Sequence, residues 1–396
     1  MDRQSLLAFL LIGLIIVFYP WYMSIVAPPS LEDQKDLTEQ SQDLNEPTTN
    51  KIVTPQVYDK NVGPQKLINV TTNLYSLDIS NKNGGSFSKY QLFRFLDYDG
   101  QLVDLISDDN KNNLALSFVS IDGDEVVLDG NWNLKESVSS LRAERTQKTL
   151  TFSTIYLDQE ITKTYTFYPD SYSIGLDVSF TNPSEFISRN QYSLSWSGGL
   201  PPTEKNVKND YMFFEGYASL GGERMGSKPK KGKPITETQK GSTLWSAVKT
   251  KYFIAAIVPA EPGIGATITS ELVGKKPVYN TDLLLSTNST NSFTSYIGPL
   301  DYESLRSFNV GLEKNVDLGW ALFRPIGQII SWLLTKLHNV IPNYGLVVIL
   351  FAVLIKLLLN PLTVKTFEST RKMQELAPQI QKLKDKYKND PQKTVS

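Results

Sequence analysis

The chain has 396 residues, with 40 Lys+Arg against 41 Asp+Glu for a formal charge of −1, no cysteine and one histidine. That length suggests two or three structural units. The missing cysteines exclude disulfides, thiolate zinc sites, iron–sulfur ligation and a cysteine nucleophile, and a His-based metal cluster or a Ser-His-Asp triad would have to use His338. A near-neutral balance argues against DNA as a partner, since a nucleic-acid binder carries a net basic footprint.

From Leu6 to Val26 the run LLAFLLIGLIIVFYPWYMSIV carries no charge. At about 1.5 Å per residue it is long enough to cross a hydrocarbon core of roughly 30 Å. Tyr19, Trp21 and Tyr22 gather at one end, where amphipathic rings favour the headgroup level. A cleaved signal peptide is the competing reading, but Ile25-Val26-Ala27 followed by Pro28 and Pro29 makes a poor cleavage site. Residues 1–27 are therefore read as an N-terminal transmembrane anchor. Residues 28–60 hold seven acidic residues and three lysines among Pro, Thr, Asn and Gln. Such a stretch buries too little apolar surface to offset its ordering entropy, which predicts a flexible acidic linker.

Residues 61–318 have a β texture. Alternating or β-branched runs recur at Thr149–Tyr156, Ile161–Tyr168, Tyr172–Phe180, Gln191–Trp196, Lys251–Val258 and Ala266–Ser270. Turn signals separate them, among them Asn83-Gly84-Gly85, Asp122-Gly123-Asp124 and Ser197-Gly198-Gly199. Many short strands with Gly/Asn punctuation predict a mainly-β sandwich. The body offers no catalytic constellation: it has no histidine, and Asp108-Asp109 and Asp122/Asp124 stand in turns, where Asp bonds its own backbone. Trp132, Trp196 and Trp245 fit a core better than sugar-stacking platforms. The run Lys228-Pro229-Lys230-Lys231-Gly232-Lys233-Pro234 could touch anionic headgroups, although a solvated hairpin loop is the plainer reading.

Residues 319–340 are predicted to form an amphipathic interfacial helix. Leu322, Ile326, Ile329, Ile330, Leu333, Leu334 and Leu337 make its apolar face, and Arg324, Gln328, Ser331, Thr335 and His338 its polar stripe. Trp320 and Trp332 serve as interfacial anchors. Packing against the β body is the alternative, and His338 reads as a solvated member of the stripe. Ile341-Pro342-Asn343 then breaks the helix before a second membrane span at 343–362. Lys356 lies inside this span, where an ionisable group costs on the order of 3 kcal/mol and is by default a functional candidate. Roughly 6–9 Å of rise separates it from the helix end, so a snorkelling side chain explains it equally well. Asn360 and Pro361, with Thr363 beyond, suggest a locally opened helix and more polar lining. Residues 363–396 begin a basic helical arm, whose Met373, Leu376, Ile380, Leu383 and Tyr387 follow coiled-coil spacing. Residues 362–396 carry eight Lys/Arg against four acidic residues. Basic flanks stay cytoplasmic, which places the tail and the N-terminus inside and the β body outside.

Several stretches resemble the YidC family of membrane protein insertases. They are Asn360-Pro361-Leu362-Thr363, Met373, Leu376-Ala377-Pro378-Gln379-Ile380, Lys382-Leu383-Lys384 and Lys386-Tyr387-Lys388-Asn389-Asp390-Pro391, together with Lys251-Tyr252-Phe253 and Tyr296-Ile297-Gly298-Pro299. The resemblance implies a non-enzymatic factor without metal or cofactor. It would insert newly made membrane proteins into the bacterial inner membrane, alone or with the Sec translocon, and meet the ribosome through the basic cytoplasmic region. It also implies an extended periplasmic β-sandwich (supersandwich-like), and a five-helix core enclosing a hydrophilic groove whose positive charge falls on Lys356. The family's usual residue there is arginine; lysine keeps the charge and loses the planar fork. The core of the family needs four more spans after the cytoplasmic arm, so the resemblance further implies an incomplete chain, not competent alone. A membrane-tethered periplasmic carbohydrate-binding or carbohydrate-active domain and an envelope scaffold are the alternative functions.

Overall fold

The computed structural model describes residues 64–110, 112–289, 291–317 and 324–386. The expected anchor at 1–27, the linker at 28–60, and Trp320 and Tyr387 lie outside these residues.

The chain opens with β1 (Leu67–Thr71), β2 (Tyr75–Ser80), β3 (Ser86–Leu96) and β4 (Leu102–Asp104), an antiparallel meander. Then come β5 (Ala115–Ser120), β6 (Glu125–Val127), β7 (Asn133–Leu134) and β8 (Ser140–Arg142), the last pairing parallel to β1 and completing a five-stranded sheet. Strands β9 (Lys148–Tyr156), β10 (Gln159–Phe167), β11 (Ser173–Phe180) and β12 (Ile187–Trp196) precede a single helical turn, α1 (Val207–Asp210). After it run β13 (Glu215–Leu220), β14 (Glu223–Gly226), β15 (Ile235–Lys249), β16 (Phe253–Pro259), β17 (Gly263–Val273), β18 (Lys276–Ser286) and β19 (Ser292–Pro299). Helices α2 (Tyr302–Arg306), α3 (Arg324–Val340) and α4 (Tyr344–Lys386) finish the chain.

The second sheet has fourteen strands, twelve of them in the order β6-β5-β12-β18-β17-β15-β16-β19-β11-β10-β9-β7. Its two edges, β6 and β7, are joined by only Leu128–Trp132. Laid flat at about 4.8 Å per strand, the edges would stand more than about 50 Å apart. A five-residue connector spans roughly 20 Å at most. The sheet must therefore bend until its edges approach, and Trp132, fully buried, sits at that junction.

Alternation decides which residues fill the core. In β10 the inward positions are Ile161, Lys163, Tyr165 and Phe167. Ile161, Tyr165 and Phe167 join Leu150 and Phe152 of β9 and Ile68, Val70, Tyr75 and Leu77 of the smaller sheet in one apolar cluster. Every residue of β16 is buried because both of its faces are covered. Phe253, Ala255 and Ile257 enter the main cluster, while Ile254, Ala256 and Val258 meet Leu305 of α2 and Leu312 in a second one.

The turns punctuate the sheet where Gly and Asn allow it. Asn83, Gly84 and Gly85 take φ of 55°, 67° and 104°, the left-handed region that side chains avoid. A Cβ on Gly84 would stand 2.6 Å from the Trp132 ring. Gly198 (φ 83°) lies so close to Asp109 that a Cβ would come within 1.9 Å of its carbonyl oxygen. The expected strands are all present with shifted ends. β12 reaches back to Ile187 through a register shift, with Arg189 and Asn190 left-handed. β16 starts two residues late because the Phe253 amide donates to Thr250 Oγ1 (3.2 Å).

The three tryptophans are core residues, each at most 1% exposed. Trp196 Nε1 donates to the Gly199 carbonyl (2.9 Å) and Trp245 Nε1 to the Val310 carbonyl (3.1 Å). Lys163 is fully buried beside Trp132. Its Nζ donates to the Asn83 carbonyl (2.8 Å) and the Leu114 carbonyl and lies 5.6 Å from the Trp132 ring centre. Both acceptor residues have left-handed backbones, so the ammonium fastens two strained turns to β10. Burial pulls its pKa down from 10.5 to about 7, as desolvation of a cation should.

Candidate functional site

The segment Tyr344–Pro361 of α4 is long and apolar enough to cross a membrane. It starts where Pro342 interrupts the preceding helix. Asn343 Oδ1 accepts from the Gly345 and Leu346 amides (2.9 and 3.3 Å), which satisfies two of the orphan donors at the helix start. Across the break the His338 ring stacks on Tyr344, centres 3.7 Å apart and planes within 15°. His338 is half-buried; the sequence reading as a freely solvated member of the polar stripe is corrected by this stacking.

Helix α3 divides its apolar residues. Ile330, Leu333, Leu334 and Leu337 are half-buried, whereas Ile326, Ile329 and Trp332 are exposed. In the apolar part of α4 only Val347 is buried; Leu346, Ile349, Val353, Leu354, Leu357 and Leu358 are open on all sides.

Lys356 is exposed on this helix. At about 100° per residue, positions i, i+4 and i+7 share a face, which puts Lys356, Asn360 and Thr363 in one row. Phe367 and Thr370 extend it at the next turns. Pro361 has no N–H to give the Leu357 carbonyl, yet α4 continues through both Pro361 and Pro378. The helix as a whole is continuous across the position where the sequence suggests a local opening. Thr363 Oγ1 donates to the Leu359 carbonyl (3.0 Å) and Thr370 Oγ1 to the Thr366 carbonyl (2.9 Å). These hydroxyl protons are spent on the helix itself, which leaves Lys356 and Asn360 as the side-chain donors of the row with no partner among the described residues. Farther along, Met373 and Leu376 are exposed, and Ile380 and Leu383 continue α4. Among the described residues no group of three or more His, Asp or Glu could hold a metal ion.

The sequence pattern missed Lys163, though it carried the signal: strict alternation with Ile161, Tyr165 and Phe167 puts position 163 on the inward face.

Two family profiles match the chain. One, described as the YidC periplasmic domain, covers residues 67–333, and the other, described as 60Kd inner membrane protein, covers residues 336–396. The membrane protein insertase YidC of Chlorobaculum parvum is 31% identical over 420 residues, matching 100% of this chain and 71% of that protein. The membrane protein insertase YidC of Chlorobium limicola is 31% identical over the same length and coverage. Among solved structures, the α-galactosidase from Lactobacillus brevis is similar over 61% of this chain and 41% of that one, with 12% identity and a TM-score of 0.34, a likeness too low to transfer any chemistry. With matches that reach from the first β-strand to the basic arm, the chain belongs to the YidC family of membrane protein insertases.

Proposed function

We propose that this protein inserts newly synthesised membrane proteins into the bacterial inner membrane and assists their folding and assembly, as a non-enzymatic factor working alone or with the Sec translocon. The observation that carries the reading is the near-continuous pair of family matches across residues 67–333 and 336–396, with insertases as the curated relatives. In this reading the two sheets form an extended β-sandwich in the periplasm (61–318), supported by the core they share. Residues 319–340 lie at the membrane surface with Trp332 as an anchor, 343–362 span the bilayer, and 363–396 begin a cytoplasmic arm. The net charge of +4 over 362–396 favours the inner side and offers the ribosome a basic contact.

Lys356 is the substrate-contact residue of this reading. A cation partway into the hydrocarbon is costly unless it meets water, a counter-charge or a polar partner. A nascent segment with a polar or acidic tail supplies such a partner while it crosses. Asn360 shares its row and offers amide donors and an acceptor.

The test is site-specific photocrosslinking from position 356, 360 or 358 during synthesis of a single-span substrate with an acidic tail. Leu358 points about 160° away from the row's axis. Adducts from 356 and 360 and few from 358 are expected. Equal yield from all three positions, or none from 356, would refute the assignment.

A further inference from the structure

The basic loop at 228–234 has no part in insertion as proposed, and it borders a cleft. The cleft has a volume of about 430 Å³ and is assembled from three separate parts of the chain. The helical turn after β12 brings Lys208, Tyr211 and Phe214; the loop after β14 brings Lys228; the β17–β18 hairpin brings Lys275 and Tyr279. Each part is fixed by its own contacts. The buried Asp210 carboxylate accepts from the Thr203 and Glu204 amides (2.8 and 3.3 Å), which sets the helical turn. Tyr211 and Phe214 meet edge to face with centres 5.3 Å apart. Gly274 (φ 67°) turns the hairpin so that Lys275 stands at its tip.

The floor is apolar and the rim cationic. Phe214, Pro277 and Tyr279 are buried, Met212 on the rim is 72% exposed, and Lys208, Lys228 and Lys275 are all exposed. None of these three lysines forms an ion pair among the described residues. The one carboxylate in the lining, Glu215, is engaged by Lys249 at 2.7 Å. Three unpaired like charges around an aromatic floor are complementary to an anion with a large apolar group.

Spread charge favours polypeptide over lipid: three lysines carried on three separate segments match a chain with several carboxylates better than a headgroup with a single phosphate. β13 starts at Glu215 on the cleft wall and runs six residues, about 20 Å, to Gly221 and Gly222. There Lys314 Nζ donates to the Gly222 carbonyl (3.0 Å), shortly before the chain enters its apolar helices. The cleft is thus a strand's length from the exit toward the bilayer.

We propose that this cleft binds acidic polypeptide segments bearing an aromatic or large aliphatic side chain, with the side chain on the Phe214–Tyr279 floor and the carboxylates on Lys208, Lys228 and Lys275. This activity is separate from insertion and is measured without it. The full chain in detergent is titrated against fluorescein-labelled Asp-Glu-Tyr-Asp-Leu-Glu, with Lys-Lys-Tyr-Lys-Leu-Lys as the charge-reversed control. The acidic peptide binds, and the combined Lys208→Gln, Lys228→Gln and Lys275→Gln variant weakens it about tenfold or more. Met212→Glu, an exposed change that adds like charge at the rim, weakens it too. Lys230→Gln, Lys231→Gln and Lys233→Gln together, outside the cleft, change it less than about twofold. Raising salt from about 50 to about 500 mM lowers affinity. Equal binding of the basic peptide, no binding of the acidic one up to about 1 mM, or an unaffected cleft variant would overturn the proposal. So would a cleft variant that loses affinity for phosphatidylglycerol vesicles while the wild-type protein ignores the peptide.

Discussion

Strand β16 and the first half of α4 are both apolar runs, FIAAIVP and YGLVVILFAVLIKLLLNP, and their surroundings are opposite. All seven residues of β16 are buried, with Phe253, Ala255 and Ile257 in one cluster and Ile254, Ala256 and Val258 in the other. Along Tyr344–Pro361 only Val347 is buried. Composition alone assigns the two runs to the same solvent. A strand with alternating faces needs protein on both sides to hide its residues, and this protein supplies it. A helix with its backbone satisfied internally can present an apolar surface all round, provided the solvent is itself apolar. Stability in the β body thus comes from packing, whereas the helical end leaves its apolar surface uncovered by the described residues.

Changes at four positions break or sharpen this contrast. Trp132→Ala, at the junction of the two sheet edges, should destabilise the β body by about 3–5 kcal/mol in denaturant unfolding. Trp132→Phe should recover most of that, because Trp132 Nε1 has no hydrogen-bond partner among the described residues to lose.

Lys163 gives the next effect. Its folded pKa is lowered from 10.5 to about 7, so between these values the unfolded chain binds more protons than the folded one. Stability therefore rises with pH across that window, by up to about 1.4 kcal/mol per unit. Lys163→Met should flatten the rise in pH-dependent unfolding. An unchanged slope would show that the ammonium is not the group responsible.

On the other side of the comparison, Lys356→Leu removes a charge from an apolar helix. It should leave β-body unfolding unchanged while lowering insertion of an acid-tailed substrate about tenfold, a change of about 1.4 kcal/mol. Lys356→Arg should retain insertion, since the charge is kept. The smallest effect is expected from Asn343→Ala, which removes the α4 cap at about 1 kcal/mol; hydrogen exchange should report faster opening at Gly345 and Leu346 and nowhere in the sheets.

Much of the β texture was legible because alternation and turn chemistry are local. The runs at 149–156 and 161–168 and the turns at Asn83 and Gly198 follow from single windows of sequence. β15 escaped notice because its first half, ITETQK, is polar and largely exposed. It is held instead by its neighbour, where Thr236 pairs with Thr269 and Thr238 with Thr267 through their hydroxyls (3.0 and 2.9 Å), a cross-strand effect no single window contains. Lys163 was hidden by its own charge, which argues for solvent while the period argues for the core. In the candidate site the row Lys356–Asn360–Thr363 follows from helical spacing. At Pro361 the helix gives up one backbone bond and still continues, a cost that a long helix absorbs. The stacking of His338 on Tyr344 depends on how two helices meet across Pro342, which spacing within either helix does not specify.

The strand order also fixes a schedule for assembly. The flanks of the large sheet are early strands, β5, β6 and β12 on one side and β7, β9, β10 and β11 on the other. Its middle is made of the late strands β15 to β19. A chain delivered from its N-terminus can form both flanks, each with one open edge, β12 and β11, that waits for β18 and β19. Those partners lie about a hundred residues downstream, so closure is a non-local and slow event. The β12 edge can be covered once Lys276–Ser286 supplies β18, but until Ser292–Pro299 emerges and β19 settles between β16 and β11, the β11 edge stands open to strangers.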